Sequence, residues 1–187
     1  MLHCHNGLLS ASAGAGLRLS LGLAPQHTPL MDEVEALIET IHIAPFAGAP
    51  MISLERVRAI ANVGLEGDRY ALGSGQWSGD DRVDRDITLV EAEEIEGLAA
   101  THGIDLRPGE TRRNVMTRGI RLNELVGRRF LVGGAECIGT RLCEPCQYLT
   151  DSIGKPILKP LVHRAGLRAK IISGGEIAVG SRIAVLD

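Results

Sequence analysis

Thr140-Arg141-Leu142-Cys143-Glu144-Pro145-Cys146-Gln147-Tyr148-Leu149 follows a strand-like run from Ala135 to Gly139 and breaks at a proline. Proline biases the residue before it to an extended conformation and can open a helix at its first position. The stretch therefore predicts a strand-to-helix corner with Cys146 at the corner, near free backbone N–H groups. Such an environment favours the thiolate, which is the form that acts as nucleophile or metal ligand.

Other readings of the Cys-x-x-Cys are open at this point. A structural zinc site needs four ligands, and Cys4 and Cys137 do not form a second pair. A thioredoxin-like dithiol requires a preceding βαβ pattern, which the sequence lacks. Two inert, buried thiols are the plainest alternative, since free cysteine is often simply buried.

Working outward, the 187 residues suit one domain, and 44% apolar content supports a real core. Aromatics make up only 3%, so that core must be aliphatic, and stacking platforms for bases are scarce. A net charge of −3 argues against a phosphate-backbone binder, so no nucleic-acid partner is expected. Nearly all positive charge is arginine. A GC-rich genome would produce that bias, and so would a need for bidentate clamps on phosphate or carboxylate. Four cysteines, well short of a disulfide scaffold, imply a reducing compartment, hence the cytoplasm.

Residues 1–30 read as a flexible Gly/Ala/Ser/Leu-rich extension, with the patterned domain spanning 31–187. The extension lacks the charged start of a signal peptide and is too short and glycine-rich to span a membrane. Val34 to Ile43 ends in β-branched residues and reads as a strand, and Leu54 to Ala61 is short and mixed. Gly64 to Tyr70 is turn-rich, and Gly73 to Asp86 is a polar loop holding Trp77 and a charge cluster expected to be solvated. Ile87–Val90 reads as a strand and Glu91 to His102 as a helix stopped by Gly103. Arg113 to Met116 reads as a strand and Leu122 to Val126 as a helical turn. Short strands then recur at 129–132, 136–139, 167–172 and 182–186, with hairpin-like turns expected at Gly133-Gly134 and Gly174-Gly175. Many short strands with a few helices predict a barrel-like, β-rich α+β domain.

In this order and spacing, six stretches resemble the MOSC domain, named after the C-terminal part of molybdenum cofactor sulfurase. They are Ile41–Pro45, Gly64–Tyr70, Arg112-Arg113-Asn114, Arg121–Gly127, Cys143–Cys146 and Gly174–Gly180. The resemblance covers the whole patterned region. It implies a closed β-barrel-like core and a pocket for molybdenum cofactor, a metal–pterin ligand bearing a phosphate. The cysteine after the proline, Cys146, would be its molybdenum or sulfur ligand, with Cys143 secondary. A soft thiolate suits a sulfur-rich metal centre or a persulfide.

A phosphate calls for arginine forks, for which Arg69, Arg113, Arg164 and Arg168 are candidates, with His163 beside Arg164. Asn114 suits the polar edge of a pterin because its amide both donates and accepts. Each arginine can also be an ordinary surface residue. His42 reads as a strand histidine.

Two functions fit. One is a reductase-type molybdenum enzyme acting on a small molecule, N-hydroxylated compounds among the options, with an external electron donor. The other is a sulfur carrier accepting persulfide from a cysteine desulfurase.

Overall fold

The computed structural model describes residues 35–79 and 84–186, so the expected extension at 1–30 lies outside the described residues. An eight-stranded mixed sheet runs in the order β11-β7-β8-β9-β5-β6-β1-β2, where β1 is Leu37–Ile43, β2 Ile52–Leu54, β5 Ile87–Glu91, β6 Val115–Arg118, β7 Arg129–Val132, β8 Ala135–Leu142, β9 Leu167–Ser173 and β11 Ile183–Val185. β3 (Arg56–Ile60), β4 (Gly64–Leu65) and β10 (Gly175–Ala178) form a small antiparallel sheet. All the pairings of the large sheet are antiparallel except β5 with β6.

The ladder has two ends, β11 and β2. It is curled, because Ile38 donates to Ser181 O, Gly180 to Ile38 O and Ile183 to Ala36 O. A single bridge, Leu37 to Arg182, accompanies these bonds. The mostly β architecture is as expected; no continuous ladder joins β11 to β1.

Two helices interrupt the strands. α1 (Ala92–His102) ends at Gly103, whose φ of 64° a side chain would disfavour. α2 (Gln147–Ile153) starts directly after Cys146, whose backbone is extended. The strand-to-helix corner read from Pro145 is therefore present. None of the helices among the described residues is long and apolar enough to cross a membrane.

Two expectations change. Gly133-Gly134 does turn β7 into β8, but Gly174-Gly175 does not close a hairpin. Instead the chain leaves the large sheet at Ser173 and enters the small one, where β10 pairs with β3. The reason is close approach: a Cβ on Gly175 would sit 2.1 Å from Gly134 O, and one on Gly174 2.6 Å from Ala59 O. Residues 80–83 of the charge cluster lie outside the described residues, and its described part is not simply solvated, since Arg85 is buried and Asp86 accepts from Ile171 N–H at 3.0 Å.

The main core is aliphatic, with Phe130 its single aromatic residue. A second apolar cluster joins α1, α2 and the 157–165 segment, and Cys146 packs on its edge.

Candidate functional site

Sheet register sets three polar side chains in a row. Arg168 on β9 is opposite Thr88 on β5 and Arg141 on β8, and neighbouring strands lie about 4.8 Å apart. All three line a cavity of about 340 Å³, a size typical of ligand pockets. Arg69, Arg85, Arg112, Arg113 and the whole Cys143-Glu144-Pro145-Cys146 segment complete much of its wall.

The cavity carries an excess of positive charge. Arg69 is paired with Asp68 at 3.0 Å, and Arg141 and Arg85 share Asp84. Burial alone would raise the Asp84 carboxyl, but the hydrogen bond and charge of Arg141, with Arg168 and Arg85 nearby, hold it below the usual range. Burial, with Arg69 alongside, lowers the Arg112 guanidinium. Arg112, Arg113 and Arg168 have no carboxylate partner among the described residues. Most telling, Arg168 Nε is buried and has no hydrogen-bond partner there. A buried donor left unpaired costs about 1–3 kcal/mol, so this atom calls for an acceptor, whether a water or a group of a ligand.

The residues expected from sequence do not all meet. Arg69, Arg113, Arg168, Cys143 and Cys146 line the cavity. Asn114 lies behind its wall and is 1% exposed. Its amide donates to His42 O and Asp68 Oδ1, and accepts from the Thr88 N–H and hydroxyl. That exhausts an amide's usual capacity, so Asn114 clasps strands rather than meeting a ligand. Its neighbour His42 is buried on β1 with its pKa lowered by desolvation, which is the strand histidine expected.

Arg113 likewise spends its fork internally. Nε donates to Ala165 O at 2.8 Å, Nη1 to Thr111 O at 3.2 Å and Nη2 to Cys143 O at 2.7 Å. His163 and Arg164 are exposed and outside the cavity. Arg164 pairs with Glu94 at 3.4 Å. His163 has φ 61° and holds Glu144 through its N–H (2.9 Å) and Nδ1 (2.7 Å). The cysteine loop is thus gripped by Arg113 on one side and His163 on the other.

Sequence reasoning passed over Arg85, Arg112, Arg141 and Thr88. Arg112 carries a signal visible only in the fold, a positive φ of 55° in a non-glycine residue. For Arg141 and Thr88 the signal is the register opposite Arg168.

The MOSC domain family matches residues 41–184. The chain belongs to the MOSC domain family. Members of this family commonly bind molybdenum cofactor. Among solved structures, the YuaD protein from Bacillus subtilis is similar at a TM-score of 0.68 and 20% identity, over 80% of this chain and 94% of that one. YiiM from Geobacillus stearothermophilus matches at 0.62 and 13% identity, over 81% and 75%. YiiM from Escherichia coli matches at 0.58 and 16% identity, over 81% and 70%. At these identities the likeness is one of fold. A search of curated proteins finds no match.

The three described thiols differ sharply. Cys137 is fully buried in the main core, and desolvation pushes its pKa up to about 12. Cys143 is 2% exposed, while Cys146 is half-buried and opens on the cavity. At pH 8 a thiol with a pKa near 12 is thiolate on the order of one part in 10,000. Iodoacetamide is therefore expected to modify Cys146 first and to leave Cys137 untouched until the protein unfolds. Peptide mapping by mass spectrometry checks this order, and early labelling of Cys137 would contradict it. The raised value also has a stability consequence. Burial of neutral Cys137 stabilises the fold below the ordinary thiol range of about 8.5, and that contribution is lost as pH climbs toward 12.

Proposed function

We propose that this MOSC protein binds molybdenum cofactor in the arginine-lined cavity and works as a reductase on a small molecule, fed by an external electron donor. N-hydroxylated compounds are the substrate class this reading favours. The observation that carries it is the unpartnered Arg168 Nε in the same cavity as the half-buried Cys146 thiol. Together they supply a soft sulfur donor for a metal and a cationic donor for a phosphate.

The residues present fit such a ligand. Cys146 would be the protein's sulfur ligand. Arg168 and Arg112 would hold anionic oxygens, and Arg69, fixed by Asp68, would add charge to the wall. When bound, the cofactor would supply the two-electron redox chemistry. The protein's own part is to seat it, orient it through the Cys143–Cys146 loop and keep the reacting end partly away from water. The curled sheet is read as the barrel-like frame of this seat, supported by the hydrogen bonds between β1 and the segment leading into β11. Cysteine usage favours the cytoplasm as its location.

A second reading is a sulfur carrier that accepts persulfide from a cysteine desulfurase. The accessible Cys146 with a further thiol at the same cavity favours it. Elemental analysis and intact-mass measurement, on protein purified from a cofactor-competent host, decide between them. Molybdenum with a pterin supports the reductase reading. A mass increase of one sulfur on Cys146 without metal supports the carrier.

A further inference from the structure

The chain holds one Trp, two Tyr and two Phe. Phe130 fills the core, and Phe46 is exposed. The other three, Tyr70, Trp77 and Tyr148, all line the arginine-rich cavity. They come from two segments far apart in sequence, in a protein whose core is otherwise aliphatic.

These rings are placed at a cost. Trp77 is 44% exposed and Tyr148 36% exposed, although a large ring gains most from burial. The segment carrying Trp77 is also braced. Arg85 Nη1 donates to Trp77 O, Ser74 Oγ donates to Pro45 O at 2.7 Å, and Gly75 N–H donates to Ser78 Oγ at 2.9 Å. Gly75 lies so close to Tyr70 that a Cβ there would sit 2.6 Å from its ring. The Arg69 guanidinium stands 5.0 Å from the centroid of the same ring. Braced rings beside guanidinium groups offer flat faces for stacking and donors for acceptors at a ring's edge.

We propose that the mouth of the cavity selects a flat aromatic ring as the body of the substrate, and that Trp77 sets this preference. The inference rests on the reductase reading for the identity of the reacting group, but the preference for a ring can be measured without it.

The test uses benzohydroxamate and cyclohexanecarbohydroxamate, which share a head group and differ in whether the ring is flat. Calorimetric titration of the full-length protein is expected to show benzohydroxamate binding about three- to tenfold tighter, the range of one aromatic pairing. Trp77→Leu should bring the ratio near one with the thermal midpoint unchanged, and Trp77→Phe should keep most of it. Because Trp77 is the single tryptophan, its fluorescence should be quenched by benzohydroxamate.

Equal binding of the two compounds, no binding of either, or a ratio that survives Trp77→Leu would overturn the proposal. So would quenching by cofactor loading with no further change on adding benzohydroxamate, which would mean that Trp77 stacks on the cofactor itself. A ring preference shown by protein that takes up no molybdenum in a cofactor-competent host would sink the reductase reading and leave this inference standing.

Discussion

On the proposed cofactor reading, Cys146→Ser is expected to abolish molybdenum retention in protein from a cofactor-competent host, whereas Cys143→Ser keeps most of it. The change swaps a soft sulfur for a hard oxygen of similar size, so it removes the ligand and little else. The loss should exceed the roughly 10–100-fold that an outer-shell partner typically contributes to metal affinity. The fold should tolerate the change, because the hydrogen bond that ties Cys146 to α2 is a backbone one: Thr150 N–H donates to Cys146 O at 3.1 Å.

Cys143 is placed differently. It is nearly fully buried, its N–H donates to Gly166 O at 2.7 Å and its carbonyl accepts from Arg113. Those contacts are again backbone ones and survive Cys143→Ser. Metal analysis with thermal unfolding of both variants separates the roles. Metal lost from Cys143→Ser but kept by Cys146→Ser would shift the ligand to the first cysteine. Metal kept by both would return both thiols to the inert class.

The corner at Cys146 was legible because proline acts locally: it fixes φ, forbids a donor and constrains the residue before it. The strands at 129–132 and 167–172 were legible because short, largely apolar runs bounded by glycines suit a strand. What could not be read was pairing. Gly174-Gly175 looks like a hairpin turn in sequence, and only the approach of Gly134 and Ala59 shows that the chain changes sheets there.

The same limit governs the site. Arg113 and Asn114 were singled out because their side chains suit ligands, yet both spend those groups on the protein's own backbone and side chains. Arg141 and Thr88 were passed over because nothing in their local sequence distinguishes them; their role comes from standing beside Arg168 across two ladders. Charge in a sequence says that an arginine exists, whereas its partner decides whether it binds a ligand. Asp84-Arg85 shows this too, since a polar run read as solvated places a buried guanidinium in the cavity wall.

Arg113→Ala is expected to destabilise the protein by about 3–4 kcal/mol, because three carbonyl acceptors, those of Thr111, Ala165 and Cys143, lose their donor together. Arg113→Lys keeps the charge but replaces a planar fork by a single ammonium, so the expected loss is smaller, about 1–3 kcal/mol. Urea unfolding measures both. The effect should also reach the thiol. Freeing the Cys143 carbonyl loosens the inner grip on the loop, where the Cys143 N–H to Gly166 O bond and the hold of His163 on Glu144 remain. Cys146 should then be alkylated faster in Arg113→Lys than in the native protein, under conditions where both remain folded. A ligand-binding fork makes the opposite forecast. If Arg113 served the cofactor alone, Arg113→Lys would lower cofactor retention and leave the urea midpoint and the Cys146 rate of cofactor-free protein unchanged. The two measurements on cofactor-free protein therefore decide whether this arginine braces the cysteine loop or waits for a ligand.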